Sequence, residues 1–228
     1  MPDKKNRTVF AAIFDMDGVI MDNHAYHLKA WQVFFKKFDR RFSKQIFERY
    51  CFGRTNQAIL QFILKRRLSA KQAEKLAQSK EKLYRKLYGP KARPAAGLPG
   101  FLKSLKQQGV KIALATSGPK SNVDFALRKT GTQKYFSVIL DAQNITHSKP
   151  HPEIYLKTAK KLKVSPKRCV VFEDSLAGIA SGKNAGMKVV GLATTLPKSR
   201  LKNADFIFKN FVGLKAGNLN RLFGQYKK

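Results

Sequence analysis

The chain has 228 residues, 43% hydrophobic and 11% aromatic, which is enough for one substantial core plus a smaller unit and argues against a disordered polymer. Its 46 Lys and Arg face only 14 Asp and Glu, a formal +32, and a surface of that sign attracts nucleic acid and other polyanions without sequence preference. No apolar run approaches the roughly 20 residues of a membrane span, and Asp15 interrupts the short one near the N-terminus before any cleavage site, so a cytoplasmic protein is expected.

The first predicted element is a strand from Val9 to Phe14, an unbroken run with β-branched and aromatic members, as in strands covered on both faces of a parallel sheet. It ends in Asp15, Asp17 and Gly18. Two acids one residue apart at the mouth of a buried strand suggest a metal site or a reactive carboxylate, because an uncompensated buried charge is expensive. A polar strand end running into a glycine turn accounts for the same residues.

After Asp22 the pattern turns helical. Ala30, Trp31, Phe34, Phe35 and Phe38 fall on one helix face, and further helical patterns cover 44–50, 55–65 and 69–87. The last opens with Ser69 and Gln72 at capping-box spacing and stops before Gly89-Pro90. With no strand pattern in this stretch, 23–94 reads as an all-helical insert in a core built from 1–22 and 95–228. The crossing into the insert is expected near Ile20–His24. The way back is a Pro- and Gly-rich linker, Pro90–Pro99. Two linkers on one unit allow hinged closure over a site.

From Gly100 strand and helix alternate: helices over 101–108, 122–129, 152–162 and 176–184, strands over 110–115, 138–140, 169–172, 187–192 and 205–208. This predicts an α/β, Rossmann-like parallel sheet wrapped by helices, with ligands beyond the carboxyl ends of the strands. Three strands end there in polar clusters: Asp15/Asp17, Thr116/Ser117 and Glu173/Asp174. Cys51 and Cys169 form no CxxC pair and read as buried structural thiols. His24 is expected to be exposed, and His147 and His151 receive no role. The cations recur along helical faces without a dense stripe, which reads as a dispersed basic surface on a monomer.

Each cluster alone is a weak signal. In this order and spacing, DMDGV (Asp15–Val19), ATSG (Ala115–Gly118), SKPHPEIY (Ser148–Tyr155) and VVFEDSLAGIASGKNAGM (Val170–Met187) resemble the haloacid dehalogenase superfamily of phosphohydrolases and phosphomutases. The helical insert after the first motif is similar to the cap of its beta-phosphoglucomutase-like subgroup. The resemblance implies Asp15 as nucleophile and Asp17 as general acid/base. It implies Mg²⁺ held by Asp15, the Asp17 carbonyl and Asp174, with Glu173 ordering that shell. Thr116, Ser117 and Gly118 would hold phosphate oxygens and Lys149 would offset their charge. Asn23, His27, Trp31 and Arg54 would serve substrate binding and closure from the hinge and the cap. The implied activity is a phosphatase of small phosphorylated metabolites, sugar phosphates foremost, with beta-phosphoglucomutase as the alternative; a third reading is a polyanion-binding protein with a vestigial site. Tyr50 and Cys51 stand where the mutase would carry a basic residue, and Gly118-Pro119 departs from its Ser-Lys; both count against mutase activity and leave hydrolysis intact.

Overall fold

The computed structural model describes residues 10–219; Val9, assigned above to the first strand, lies outside them. Six strands form one all-parallel sheet: β1 (Ala11–Phe14), β2 (Lys111–Ala115), β3 (Val138–Leu140), β4 (Cys169–Glu173), β5 (Lys188–Leu192) and β6 (Phe206–Phe208). Their order, β3-β2-β1-β4-β5-β6, puts β1 at the centre between β2 and β4. The three polar strand ends are therefore neighbours on one edge.

The nine helices among the described residues are α1 (His24–Lys36), α2 (Lys44–Ile46), α3 (Asn56–Leu64), α4 (Ala70–Tyr88), α5 (Leu98–Gln107), α6 (Lys120–Thr130), α7 (Glu153–Leu162), α8 (Leu176–Asn184) and α9 (Ala216–Leu219). Strand alternation divides the core. Ala12, Phe14, Leu114 and Phe172 face α5, α6 and α9, while Ile13, Ala113 and Val171 face α7 and α8. Phe14 stacks on Phe172 with ring centroids 4.6 Å apart, and Phe101 meets it edge-on at 6.1 Å. A third apolar cluster joins Trp31, Phe34 and Phe35 of α1 to Ile59, Leu60 and Leu64 of α3, with Phe42, Phe47 and Ala73. Every buried member of it comes from the stretch between β1 and α5.

Two local differences from the sequence reading have physical causes. The 44–50 helix is α2 for only one turn, then a π-helical turn over Phe47–Cys51. Phe47 and Cys51 of this turn are buried in the third apolar cluster; such turns are frequent at functional sites. The linker is also shorter than Pro90–Pro99, because Gly89–Lys91 is a 3₁₀ turn and Pro99 sits in the first turn of α5, where its missing N–H costs nothing. The segments on either side of the helical stretch, after β1 and before α5, are joined by Ala95 N–H donating to the Ile20 carbonyl at 2.8 Å.

Candidate active site

β1, β2 and β4 deliver Asp15, Thr116, Glu173 and Asp174 to the same edge, all buried. Lys149, from the loop before α7, reaches in between them. Its ammonium donates to Asp15 Oδ1 at 2.7 Å and to Glu173 Oε1 at 2.6 Å. Burial works against its charge, but Asp15 and Glu173 outweigh that and hold it well above the ordinary lysine value, so it stays a cation. Burial is also the main force on Asp15, raising it to about 7; Lys149 opposes, and Glu173 and Asp17 add to the rise.

Glu173 has little free capacity. Oε1 also accepts from the Tyr155 hydroxyl at 2.9 Å, and Oε2 accepts from the Asp174 and Ser175 amides and the Ser175 hydroxyl. It lies so close over α8 that a Cβ on Gly178 would meet its carboxylate at 1.7 Å. Asp174 differs: Oδ2 accepts from the Thr195 hydroxyl, while Oδ1 is buried with no partner among the described residues. Burial first, then the charges of Glu173 and Asp15, push Asp174 well above the usual carboxylate range. Gly18, at φ +75°, admits this arrangement, since a Cβ there would collide with Asp174 Oδ2 at 1.7 Å.

Asp17 is held from the helical insert. Asn23, fully buried, donates to Asp17 Oδ1 at 2.6 Å and to the Tyr84 hydroxyl at 2.7 Å, while its Oδ1 accepts from Gly18 N–H. Both amide hydrogens are spent on the protein, which makes Asn23 a brace. His27 stacks on Tyr84 with centroids 3.8 Å apart and sets Nε2 3.3 Å from Asp17 Oδ1. Its other nitrogen faces the Lys80 ammonium at 2.8 Å. An ammonium only donates, so Nδ1 accepts and the ring proton sits on Nε2, toward Asp17. Burial would raise the Asp17 carboxyl, but His27, Asn23 and Lys80 together hold it below its usual value.

Thr116 Oγ1 accepts from Gly118 N–H at 3.0 Å, and Ser117 Oγ is buried without a partner among the described residues. α6 begins only at Lys120, so this turn precedes the helix end instead of forming it. Trp31 is almost fully buried, stacked on Phe35 at 5.0 Å and capped by the Lys80 ammonium 4.6 Å from its ring. Arg54 is exposed at the rim, and its guanidinium has no hydrogen bond or ion pair among the described residues. The sequence-predicted site residues other than Asn23, Lys149 and Glu173 line one half-open cleft of about 60 Å³ between insert and sheet edge. His24 lines it too and is half-buried, contrary to the exposed position expected, because the π-turn folds Phe47 over it.

The haloacid dehalogenase-like hydrolase family profile matches residues 12–192, which includes every strand-end acid just described. The chain belongs to this family. It is 32% identical to the beta-phosphoglucomutase of Bacillus subtilis over 225 residues, covering 95% of this chain and 96% of that protein. It is 30% identical to the phosphorylated carbohydrates phosphatase of Thermotoga maritima, covering 82% and 86% respectively. The crystal structure of beta-phosphoglucomutase from Clostridium difficile superposes with a TM-score of 0.84 at 28% identity, over 96% of this chain and 99% of that one. As a haloacid dehalogenase-like hydrolase the protein has an α/β fold with an all-parallel sheet, and among its described residues no helix is long and apolar enough to cross a membrane.

Sequence reasoning missed the ion pair that supports Asp17 in this family member. Lys80 and Glu81 are both almost fully buried and joined at 2.9 Å. Glu81 also accepts from Asn56 at 2.8 Å and from Asn122 of α6 at 2.7 Å, and Asn122 in turn accepts from Arg85. On a helix so rich in lysine nothing in the sequence marks Lys80 as different. The signal available was Glu81, one of only two acids on α4. Lys80→Met removes one partner of this buried pair and is expected to lower the unfolding free energy by about 3–5 kcal/mol. Lys80→Met with Glu81→Gln should recover much of that, because no unpaired charge is left. Urea titrations of the three proteins measure both effects.

Proposed function

We propose that the protein is a Mg²⁺-dependent phosphatase of small phosphorylated metabolites, sugar monophosphates foremost, working through an aspartyl phosphate. The observation that carries this reading is Asp15 fixed by Lys149 beneath a half-open cleft, with Asp17 held separately by His27 and Asn23. The two carboxyls are pushed in opposite directions, as expected for two different roles.

Asp15, Glu173 and Asp174 bring ligand oxygens within 4.8 Å of one another, and the partnerless Asp174 Oδ1 supports a hard cation there. Because Glu173 is saturated by its own hydrogen bonds, Asp15, Asp174 and the Asp17 carbonyl are the better ligands. A bound Mg²⁺ would neutralise phosphate charge. Lys149 keeps one Asp15 oxygen oriented, and the other attacks phosphorus while the ester P–O bond breaks. The departing alkoxide takes its proton from Asp17. Free Asp17 is ionised, but the phosphate dianion arriving beside it raises its proton affinity, so that it takes up a proton from solvent before the ester bond breaks. A water then attacks the aspartyl phosphate, Asp17 takes up the water proton, and inorganic phosphate leaves with Asp15 restored. Thr116 and Ser117 supply hydroxyls to the phosphoryl oxygens.

Hydrolysis is favoured over mutase activity by the cations within reach. Of the two that line the space, Lys80 is committed to Glu81 and His27, which leaves Arg54 alone for a second phosphate. Tyr50 is 38% exposed and Cys51 is a thiol raised to about 12 by burial, so neither adds positive charge. The expected result is phosphate release from several sugar monophosphates and no interconversion of beta-glucose 1-phosphate with glucose 6-phosphate. Asp15→Asn should abolish release with the thermal midpoint retained, since a carboxamide cannot form the acyl phosphate. Efficient interconversion primed by a bisphosphate would favour the mutase.

Metal binding has its own signature in pH. Folded Asp15 holds its proton to about 7 against 3.8 in the unfolded chain, so in metal-free protein this group's contribution to stability falls as pH rises through that window. Mg²⁺ needs the ionised carboxylates and competes with their protons. The Mg²⁺-induced rise in thermal midpoint should accordingly be larger at about pH 8 than at about pH 5.5; an equal rise would argue against this site.

The formal +32 supports a further proposal, that polyanions bind the surface without sequence preference. Such DNA binding should fade steeply by about 0.3 M salt, because counterion release drives it. Over the same range kcat should change little, since the reacting groups act at contact distance. Parallel titrations of DNA affinity and turnover test this.

A further inference from the structure

The buried polar atoms left unpaired around the cleft, among the described residues, fall into two groups. Ser117 Oγ, Asp174 Oδ1 and His27 Nε2, the last facing Asp17, belong to the phosphate end. The remaining two are both ring nitrogens of His24. This ring lies among aromatics, 5.0 Å from the Phe47 centroid and edge-on to Phe52 at 4.7 Å. Both nitrogens are shut off from solvent, and neither has a hydrogen-bond partner among the described residues. Leaving such a group unpaired costs free energy, and nothing in the fold recovers it. As packing alone, the position would be better filled by leucine or phenylalanine.

The ring's chemistry restricts what could complete it. Burial is the largest influence on His24 and lowers it to about 4; His27 and Lys44 act in the same direction, Glu48 and Asp17 against it. At neutral pH it is an uncharged imidazole, with one N–H donor and one acceptor nitrogen. A hydroxyl, which both donates and accepts, matches that pair. A carboxylate accepts only and would call for an imidazolium. The aromatic surround suits the C–H faces of a carbon skeleton.

We propose that His24 is a specificity residue that hydrogen-bonds a hydroxyl on the carbon skeleton of the substrate and so selects hydroxylated phosphate esters over phosphate esters lacking such a group. The inference rests on the phosphatase reading above and adds to it the group that reads the leaving alcohol.

The test compares wild type, His24→Ala and His24→Gln on the best sugar monophosphate and on p-nitrophenyl phosphate, with kcat and KM measured separately. In His24→Ala the ratio of kcat/KM for the sugar phosphate to that for p-nitrophenyl phosphate should fall about 10- to 100-fold, the effect of one buried hydrogen bond left unmade, and mainly through KM. His24→Gln, which keeps a donor and an acceptor, should restore most of the ratio. A thermal midpoint in His24→Ala no lower than wild type would agree with a residue that the fold does not need. An unchanged ratio, or equal losses on both esters, overturns the proposal. Wild-type enzyme that cleaves p-nitrophenyl phosphate but no hydroxylated ester overturns it while leaving the phosphatase reading intact. Wild-type enzyme that cleaves neither ester overturns that reading, and the inference with it.

Discussion

Three carboxylates meet in one buried strand-end cluster that holds a single ammonium, and most of the local architecture follows from that constraint. Asp15, Glu173 and Asp174 are all buried, and Lys149 alone among the described cations touches any of them. One positive charge cannot ionise three acids at this depth. The protein therefore divides the work. Glu173 accepts hydrogen bonds from amides, hydroxyls and Lys149, and burial leaves Asp15 and Asp174 with raised proton affinity. The small residues around them follow from the same crowding, since Gly18 and Gly178 are the only shapes that let Asp174 and Glu173 sit where they do.

The helical insert meets this cluster with charges of its own. Lys80 and Glu81 lie under Trp31 and against His27, and Asn122 carries the contact across to the core. Gly53 adds a second contact, so close to Ser175 that a Cβ would approach its hydroxyl at 2.6 Å. Arg200 on the core side pairs with Glu48 on the other flank at 3.0 Å. Seated this way, the insert fixes the direction in which His27 presents its proton to Asp17.

Much of this is legible in the sequence because the constraints are local. Strand runs such as Cys169–Phe172, the Ser69/Gln72 capping box and the spacing of the acidic strand ends depend on neighbours a few residues away. Both reciprocal bonds of that box are present, at 3.2 and 3.0 Å. What escaped depends on residues far apart in the chain. Thr195 is an ordinary loop threonine until β5 sets it beside Asp174, and Lys80 is one lysine of many until α4 packs on α1. His24 was misjudged for a related reason. Its burial comes from a π-turn more than twenty residues later, and hydrophobic periodicity carries no sign of wider winding.

The hydrogen bond between the two crossings, Ala95 N–H to Ile20 carbonyl, has a mechanical meaning. A unit tethered by one strand can swivel and drift, whereas two tethers fastened side by side leave essentially one soft rotation. Displacement of the insert is then a swing about that axis, with sideways translation and twist suppressed. The axis also runs close to the chemistry, because Ile20 lies three residues beyond Asp17 and the next residue, Met21, is bridged to Asp17. Torsional stiffness in a few backbone atoms at the neck would thus bear directly on how Asp17 is aimed.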